Sequence, residues 1–128
     1  MDPEAYLIEI KAKLAVSSFI GSIDIIDERT ALSDRGYFRA QIRLINGDFL
    51  EVSEYFVLEE GRYIPKRYRY QWMDHTQRNL KKRWDNAEHF PSLAGFPHHV
   101  HIGGEENVVA SKPLCIIELI DIVDQEIL

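Results

Sequence analysis

At 128 residues, with 45% apolar and 28% charged side chains and a formal net charge of −6, the chain has the size and balance of one globular domain, residues 1–128, with enough apolar surface for its own core. No run approaches the roughly 20 continuous apolar residues of a membrane span, and Met1-Asp2-Pro3-Glu4 opens with acid where a secretory signal carries Lys or Arg, so the expected location is cytoplasmic. The lone Cys115, between Leu114 and Ile116, allows no internal disulfide and suits a buried apolar place better than a reactive one.

Residues 3 to 18 read as an amphipathic helix with Tyr6, Leu7, Ile10 and Leu14 on one stripe and Pro3 suited to its first turn. From Phe19 onward the period changes to two. Ile23 and Ile25, then Phe38, Ala40, Ile42 and Leu44, then Leu50, Val52, Phe56 and Leu58 predict three strands, each with one face buried. Asn46-Gly47 is the strongest hairpin signal, a type I′ turn with positive φ at both central residues, and Glu60-Gly61 suits the next turn, so the sheet should be antiparallel. A fourth strand, Tyr63 to Met73, alternates Tyr68, Tyr70 and Trp72 with Arg67, Arg69 and Gln71. A fifth, Leu80 to Asp85, sets Arg83 and Asp85 on one face and Lys82 and Trp84 on the other. Asn86 to Pro97 should wrap over the sheet before a strand carrying the histidines. After a turn at Gly103-Gly104, Ser111 is expected to cap a closing helix with Pro113 in its first turn and Ile116, Leu119, Ile120, Val123 and Ile127 as its apolar stripe. The fold expected is α+β: an N-terminal helix, an antiparallel sheet of about six strands and a C-terminal helix, both helices on one face of the sheet.

The charge is unevenly spread. Residues 64 to 84 hold Lys66, Arg67, Arg69, Arg78, Lys81, Lys82 and Arg83 against Asp74 alone, a basic band in an acidic chain. Such a band suits either a polyanion site or a solvated strand face paired with carboxylates elsewhere.

Three of the five histidines fall in Pro97-His98-His99-Val100-His101, and on a strand His99 and His101 share a face. With Arg83 and Asp85 nearby, this face holds the parts for metal-free RNA cleavage: a general base for the 2′-hydroxyl, a general acid for the leaving oxygen, a cation for the charge on phosphorus, and a carboxylate to orient an imidazole. Tyr68, Tyr70, Trp72 and Trp84 suit either base stacking or a core. Two other uses of the histidines stand beside catalysis: a structural pair, or a zinc site built from His99, His101, His89 and Asp85. His75, beside Asp74, reads as a solvent-facing loop residue. A phosphate-binding glycine loop and a Gly-x-Ser-x-Gly elbow are absent, which argues against nucleotide hydrolysis and serine hydrolase chemistry.

Tyr68-Arg69-Tyr70-Gln71-Trp72-Met73-Asp74, then Arg83-Trp84-Asp85-Asn86, then Pro97-His98-His99-Val100-His101 resembles, in kind and order, the TumE family of bacterial and archaeal toxins. The resemblance covers most of the chain from the hairpins onward. It implies the toxin half of a type II toxin–antitoxin pair, neutralised by an antitoxin protein that is often a helix-turn-helix regulator, with ribonuclease activity and RNA as substrate. Matched by position, it nominates Tyr70, Arg83, Asp85, His99 and His101 for the chemistry, with His98 and His89 in support. In this reading His99 and His101 are acid and base, Arg83 clamps phosphate and Asp85 orients an imidazole. Arg67, Arg69, Lys82 and Trp72, with His98 and His89, bind substrate, and no cofactor is required. The acidic C-terminal helix or the apolar sheet edge is the expected docking place for the antitoxin or a second copy of the chain. The alternatives are a non-catalytic nucleic-acid- or partner-binding module with structural histidines, and a zinc-dependent hydrolase.

Overall fold

The computed structural model describes residues 1–127. Over them the chain runs α1 (Pro3–Val16), β1 (Ile20–Ala31), β2 (Arg35–Leu44), β3 (Phe49–Glu59), β4 (Arg62–Met73), β5 (Leu80–Asp85), β6 (His99–Ile102), β7 (Val108–Ala110) and α2 (Ile116–Glu126). The strands form one seven-stranded sheet in sequence order, every neighbouring pair antiparallel. The fold is the expected α+β, with one strand more than about six. The addition is β7, three residues along an outer edge, too short to leave a periodic signal in the sequence.

Alternation divides the sheet into two faces. Phe38, Ala40, Ile42, Leu50, Val52, Phe56, Tyr68, Tyr70, Trp72, Trp84 and Val100 turn to one side and form a continuous core with Tyr6, Leu7, Ile10 and Leu14 of α1 and Ile116, Leu119, Ile120 and Val123 of α2. Both helices therefore cover the same face, and the other face carries the polar half of each strand. No helix among the described residues is long and apolar enough to cross a membrane. The expected buried face of β1 is not found: Ile23 and Ile25 are 37% and 41% exposed. β1 is an edge strand with a neighbour on one side only, so alternation there is not matched by cover.

Turn chemistry also differs from expectation. Gly47 has φ +91° but Asn46 is not left-handed, so this is not a type I′ turn. The Asn46 side chain instead accepts from Asp48 N–H at 2.9 Å, and the loop spans residues 45–48. It is Glu60-Gly61, φ +51° and +75°, that closes a two-residue hairpin with both central residues left-handed.

A buried carboxylate ties the helices to the sheet. Glu54, fully enclosed on the core face, accepts from Tyr6 Oη at 2.6 Å, Tyr70 Oη at 2.8 Å and the Ile116 backbone N–H at 2.8 Å. Tyr70 Oη also lies 2.9 Å from the Leu114 carbonyl. These bonds hold residues 114 and 116 against the sheet, which explains why α2 starts later than expected. Its N-cap is Cys115, not Ser111, and Glu118 accepts from the Cys115 N–H. Ser111 bonds only to the adjacent Lys112 carbonyl, and the segment through Pro113 is not helical. Cys115 is partly exposed at this helix start, its thiol pushed up to about 12 by burial.

Burial raises the pKa of Glu54 against the opposing pull of its hydrogen bonds. An unfolded chain loses this proton near pH 4.3, so above that pH the folded state retains more proton than the unfolded one and stability falls as pH rises towards the folded pKa. Urea unfolding across pH 4 to 8 should show this decline, up to about 1.4 kcal/mol per pH unit inside the window, in the wild type and not in Glu54→Gln. Parallel profiles would contradict it.

Candidate functional site

The site is set by how β5 pairs with β6. Asp85 stands opposite His99 and Arg83 opposite His101, while Trp84 and Val100 between them enter the core. Burying Trp84 and Val100 on the helix side obliges the four polar side chains to share the open face. On β4, Arg69 is opposite Asp85 and Gln71 opposite Arg83, and Ser53 of β3 continues the row.

Each imidazole is held by a main-chain carbonyl: His99 Nδ1 lies 2.9 Å from the Pro97 oxygen and His101 Nδ1 2.8 Å from the Glu105 oxygen. A carbonyl can only accept, so both rings carry their proton on Nδ1 and the neutral tautomer leaves a lone pair on Nε2. Both Nε2 atoms face Asp85, His99 at 2.9 Å from Oδ1 and His101 at 3.7 Å from Oδ2. Although His99 Nε2 is close to the carboxylate, it forms no hydrogen bond and is sealed from solvent. Asp85 is fixed separately by the Ala87 N–H on Oδ1 at 3.0 Å and Arg83 Nε on Oδ2 at 3.3 Å. The Phe90 ring closes over both imidazoles edge to face, 4.9 Å from His99 and 6.0 Å from His101 between centroids.

A groove of about 1090 Å³ opens beside this cluster. Its floor is the open face of the sheet, with Tyr37 and Tyr55 on β2 and β3, Lys66, Arg67 and Arg69 on β4, and Arg83, Asp85 and His101 at the far end. The segment after β5, including His89 and Phe90, makes a wall. Asn86 fastens that wall to β4: its Oδ1 accepts from Tyr68 N–H at 3.0 Å and its Nδ2 donates to the Lys66 carbonyl at 2.9 Å. His99, 1% exposed, is absent from the groove lining; His101 and Asp85, 4% and 7% exposed, present their accessible edges there.

Arg83 is already occupied. Its two terminal nitrogens each lie 2.5 Å from a carboxylate oxygen of the exposed Glu105, a bidentate fork of the shape it would offer a phosphate. Glu105 raises the Arg83 pKa, and Arg83 in turn holds Glu105 below the usual carboxylate range. Arg67 and Arg69 are exposed and form no ion pair among the described residues; Arg69 donates to Gln71.

Thus Asp85, His99, His101 and Arg83 come together, with Arg67, Arg69 and His89 around the groove, and the other nominated residues lie elsewhere. Tyr70 is fully buried on the helix face, bound to Glu54 and Leu114. Trp72, on that same face, donates Nε1–H to Asp48 at 2.9 Å. Lys82 also turns to that side, above the Trp84 ring and paired with Glu126 of α2. Trp84 is core, as is Tyr68, whose hydroxyl meets His98 Nδ1 at 2.8 Å. His98 thereby points away from His99 and His101, with a pKa lowered by burial and by His99. His75 is exposed in its loop, as expected. The sequence reading assigned no site role to Lys66 of the basic band or to Asn86, and it overlooked Tyr37, Tyr55, Phe90 and Glu105. Alternation carried a signal for two of them, since Tyr37 precedes core Phe38 and Tyr55 precedes core Phe56, and Asn86 lies inside the Arg-x-Asp-Asn motif.

Asp85, His99 and His101 offer three potential metal-ligand atoms within 4.8 Å of one another; His89, expected in a zinc set, is not among them. The molecule is thus a small α+β protein with an enclosed carboxylate–histidine cluster at the end of a cation-lined groove. A family model described as Toxin TumE matches residues 9–127, and the chain belongs to the TumE family, the toxin side of a toxin–antitoxin system. No curated protein and no solved structure matches it.

Because Glu105 occupies the Arg83 fork, an incoming anion must displace it. Glu105→Gln keeps the carbonyl that holds His101 and removes the competing charge, so inorganic phosphate should bind about two- to tenfold tighter, up to about 1.4 kcal/mol, by calorimetric titration. Equal or weaker binding would show that the fork is not the anion site.

Proposed function

We propose that this toxin cleaves RNA and that a single strand lies along the groove with the scissile phosphate at the Arg83, Asp85 and His101 end. The observation that carries this reading is the run of unpaired cations, Arg67 and Arg69, leading to the enclosed cluster on one face of the sheet. The chain is acidic overall, so RNA would be repelled from most of it and drawn to this band. Tyr37 and Tyr55, paired across β2 and β3, supply ring faces for bases at the far end, a part that by sequence is one of two alternatives for Tyr68, Tyr70, Trp72 and Trp84. With neighbouring strands about 4.8 Å apart, β2 to β6 spans about 19 Å, enough for a few nucleotides of single strand.

Cleavage by the neighbouring 2′-oxygen forms a bond from that oxygen to phosphorus and breaks the bond to the 5′-oxygen. A proton leaves the 2′-hydroxyl, one reaches the leaving oxygen, and the charge on the phosphoryl oxygens needs stabilising. Arg83, released from Glu105, is suited to that charge. The two histidines are not equivalent in this scheme: His101, whose Nε2 lone pair faces the phosphate end beside Asp85, takes the 2′-hydroxyl proton, water in the groove protonates the leaving oxygen and is restored by the proton held on His101, and His99 is sealed behind them away from the substrate. This replaces the symmetrical acid and base pair expected from the sequence.

Purified protein incubated with mixed-sequence single-stranded RNA, in parallel with and without divalent cations, should yield fragments in at least one of the two conditions. His101→Gln, which keeps most of the buried volume, should slow cleavage at least about 100-fold with its thermal midpoint nearly unchanged. Arg67→Ala with Arg69→Ala should weaken RNA affinity across sequences and reduce the salt slope by about one for each phosphate no longer engaged. Salt-dependent binding without fragments under every condition would instead identify a non-catalytic binding module.

A further inference from the structure

We propose that Asp85, His99 and His101 bind one divalent transition-metal ion of the zinc type, through a carboxylate oxygen of Asp85 and the two Nε2 atoms, with a remaining coordination position open to the groove. This deepens the RNA-cleavage reading and rests on it only for what the open position would do. It departs from the metal-free expectation because of the tautomers. With both Nδ1 protons committed to main-chain carbonyls, two imidazole lone pairs converge on a carboxylate. Such an arrangement of acceptors is unfavourable unless a positive charge lies among them. A proton on His99 Nε2 would pair electrostatically with Asp85 at 2.9 Å but out of line for a hydrogen bond, so that buried nitrogen has no hydrogen-bond partner.

The surroundings are those of a prepared metal site. Ligating histidines generally donate their second N–H to a carbonyl or carboxylate, and ligating carboxylates are themselves held by donors. Here Pro97 and Glu105 hold the rings, and Ala87 N–H and Arg83 hold Asp85. Arg83 is neutralised by Glu105, so the cluster keeps the negative charge of Asp85 for a dication. Three nitrogen and oxygen ligands with a further position for water or a phosphate oxygen match the catalytic rather than the structural pattern of zinc. The open side is fixed by burial, since His99 is enclosed and Asp85 and His101 border the groove.

The test is calorimetric titration of zinc chloride into chelator-stripped, full-length protein, with cobalt(II) absorption as a second readout. One ion per chain is expected, with cobalt d–d bands and a raised thermal midpoint on zinc addition. Because His99→Ala opens a hole in a buried site, the decisive variants are Asp85→Asn and His101→Gln, each checked by circular dichroism. Each should weaken zinc binding at least about 100-fold and remove the cobalt bands, while His75→Ala changes neither. Absence of one-to-one binding, or binding unaffected by Asp85→Asn and His101→Gln, overturns the proposal. Zinc binding as expected without RNA cleavage would leave the metal site standing and sink the RNA reading. Full-rate cleavage by protein that binds no zinc would do the reverse.

Discussion

Everything at the site depends on a four-residue stretch of pairing between β5 and β6. Asp85 meets His99 and Arg83 meets His101 because Trp84 and Val100 are claimed by the core on the other side. A slip of one residue would exchange the faces, sending the carboxylate under the helices and the indole into the groove. The register is therefore enforced by hydrophobic burial, which is nondirectional and strong, and the polar geometry inherits its precision from that. The same logic runs across β4, where Tyr68, Tyr70 and Trp72 fill the core and Arg67 and Arg69 are left on the open face.

Two of the buried carboxylates, Glu54 and Asp85, sit on opposite faces of this sheet with opposite characters. Glu54, on the helix face, is saturated by two tyrosine hydroxyls and a backbone amide, and it joins α1, β4 and α2 to β3. Asp85, on the groove face, has donors on part of its surface and two imidazole nitrogens facing the rest. Buried polar networks normally have their hydrogen bonds complete. Glu54 follows that rule and is structural, whereas His99 Nε2 beside Asp85 lacks a hydrogen bond, and it is at this exception that the proposed metal ion would sit. The cluster also lies near a weak edge. β6 and β7 are four and three residues long, and Asn86 and Phe90 supply the cover that longer strands would provide.

The sequence disclosed the elements whose apolar period is long: α1, the alternating strands β2 to β5, the stripe of α2, and the shared face of His99 and His101. The family resemblance was legible for the same reason, its motifs lying on β4, β5 and β6, and the match extends it to residues 9–127. What stayed hidden depends on contacts distant in the chain. Tyr70 and Trp72 suited either a core or base stacking by sequence, and cross-strand pairing with Val52 and Leu50 decides for the core. The start of α2 was misplaced because Glu54 and Tyr70, some 44 to 62 residues away, hold residues 114 and 116. The tight hairpin formed at Glu60-Gly61 rather than Asn46-Gly47, where an Asx bond favours a longer loop. Glu105 had no local signature at all, since its meaning comes from Arg83 across the sheet.

In the proposed function RNA is engaged by the open face of the sheet. Amide chemical-shift mapping with a non-cleavable 2′-O-methyl single-stranded oligonucleotide tests it most directly. Perturbations are expected to concentrate at Tyr37, Tyr55, Arg67, Arg69, Arg83 and His101, with α1 and α2 unaffected. Perturbations centred on the helices, or none at saturating oligonucleotide, would contradict it.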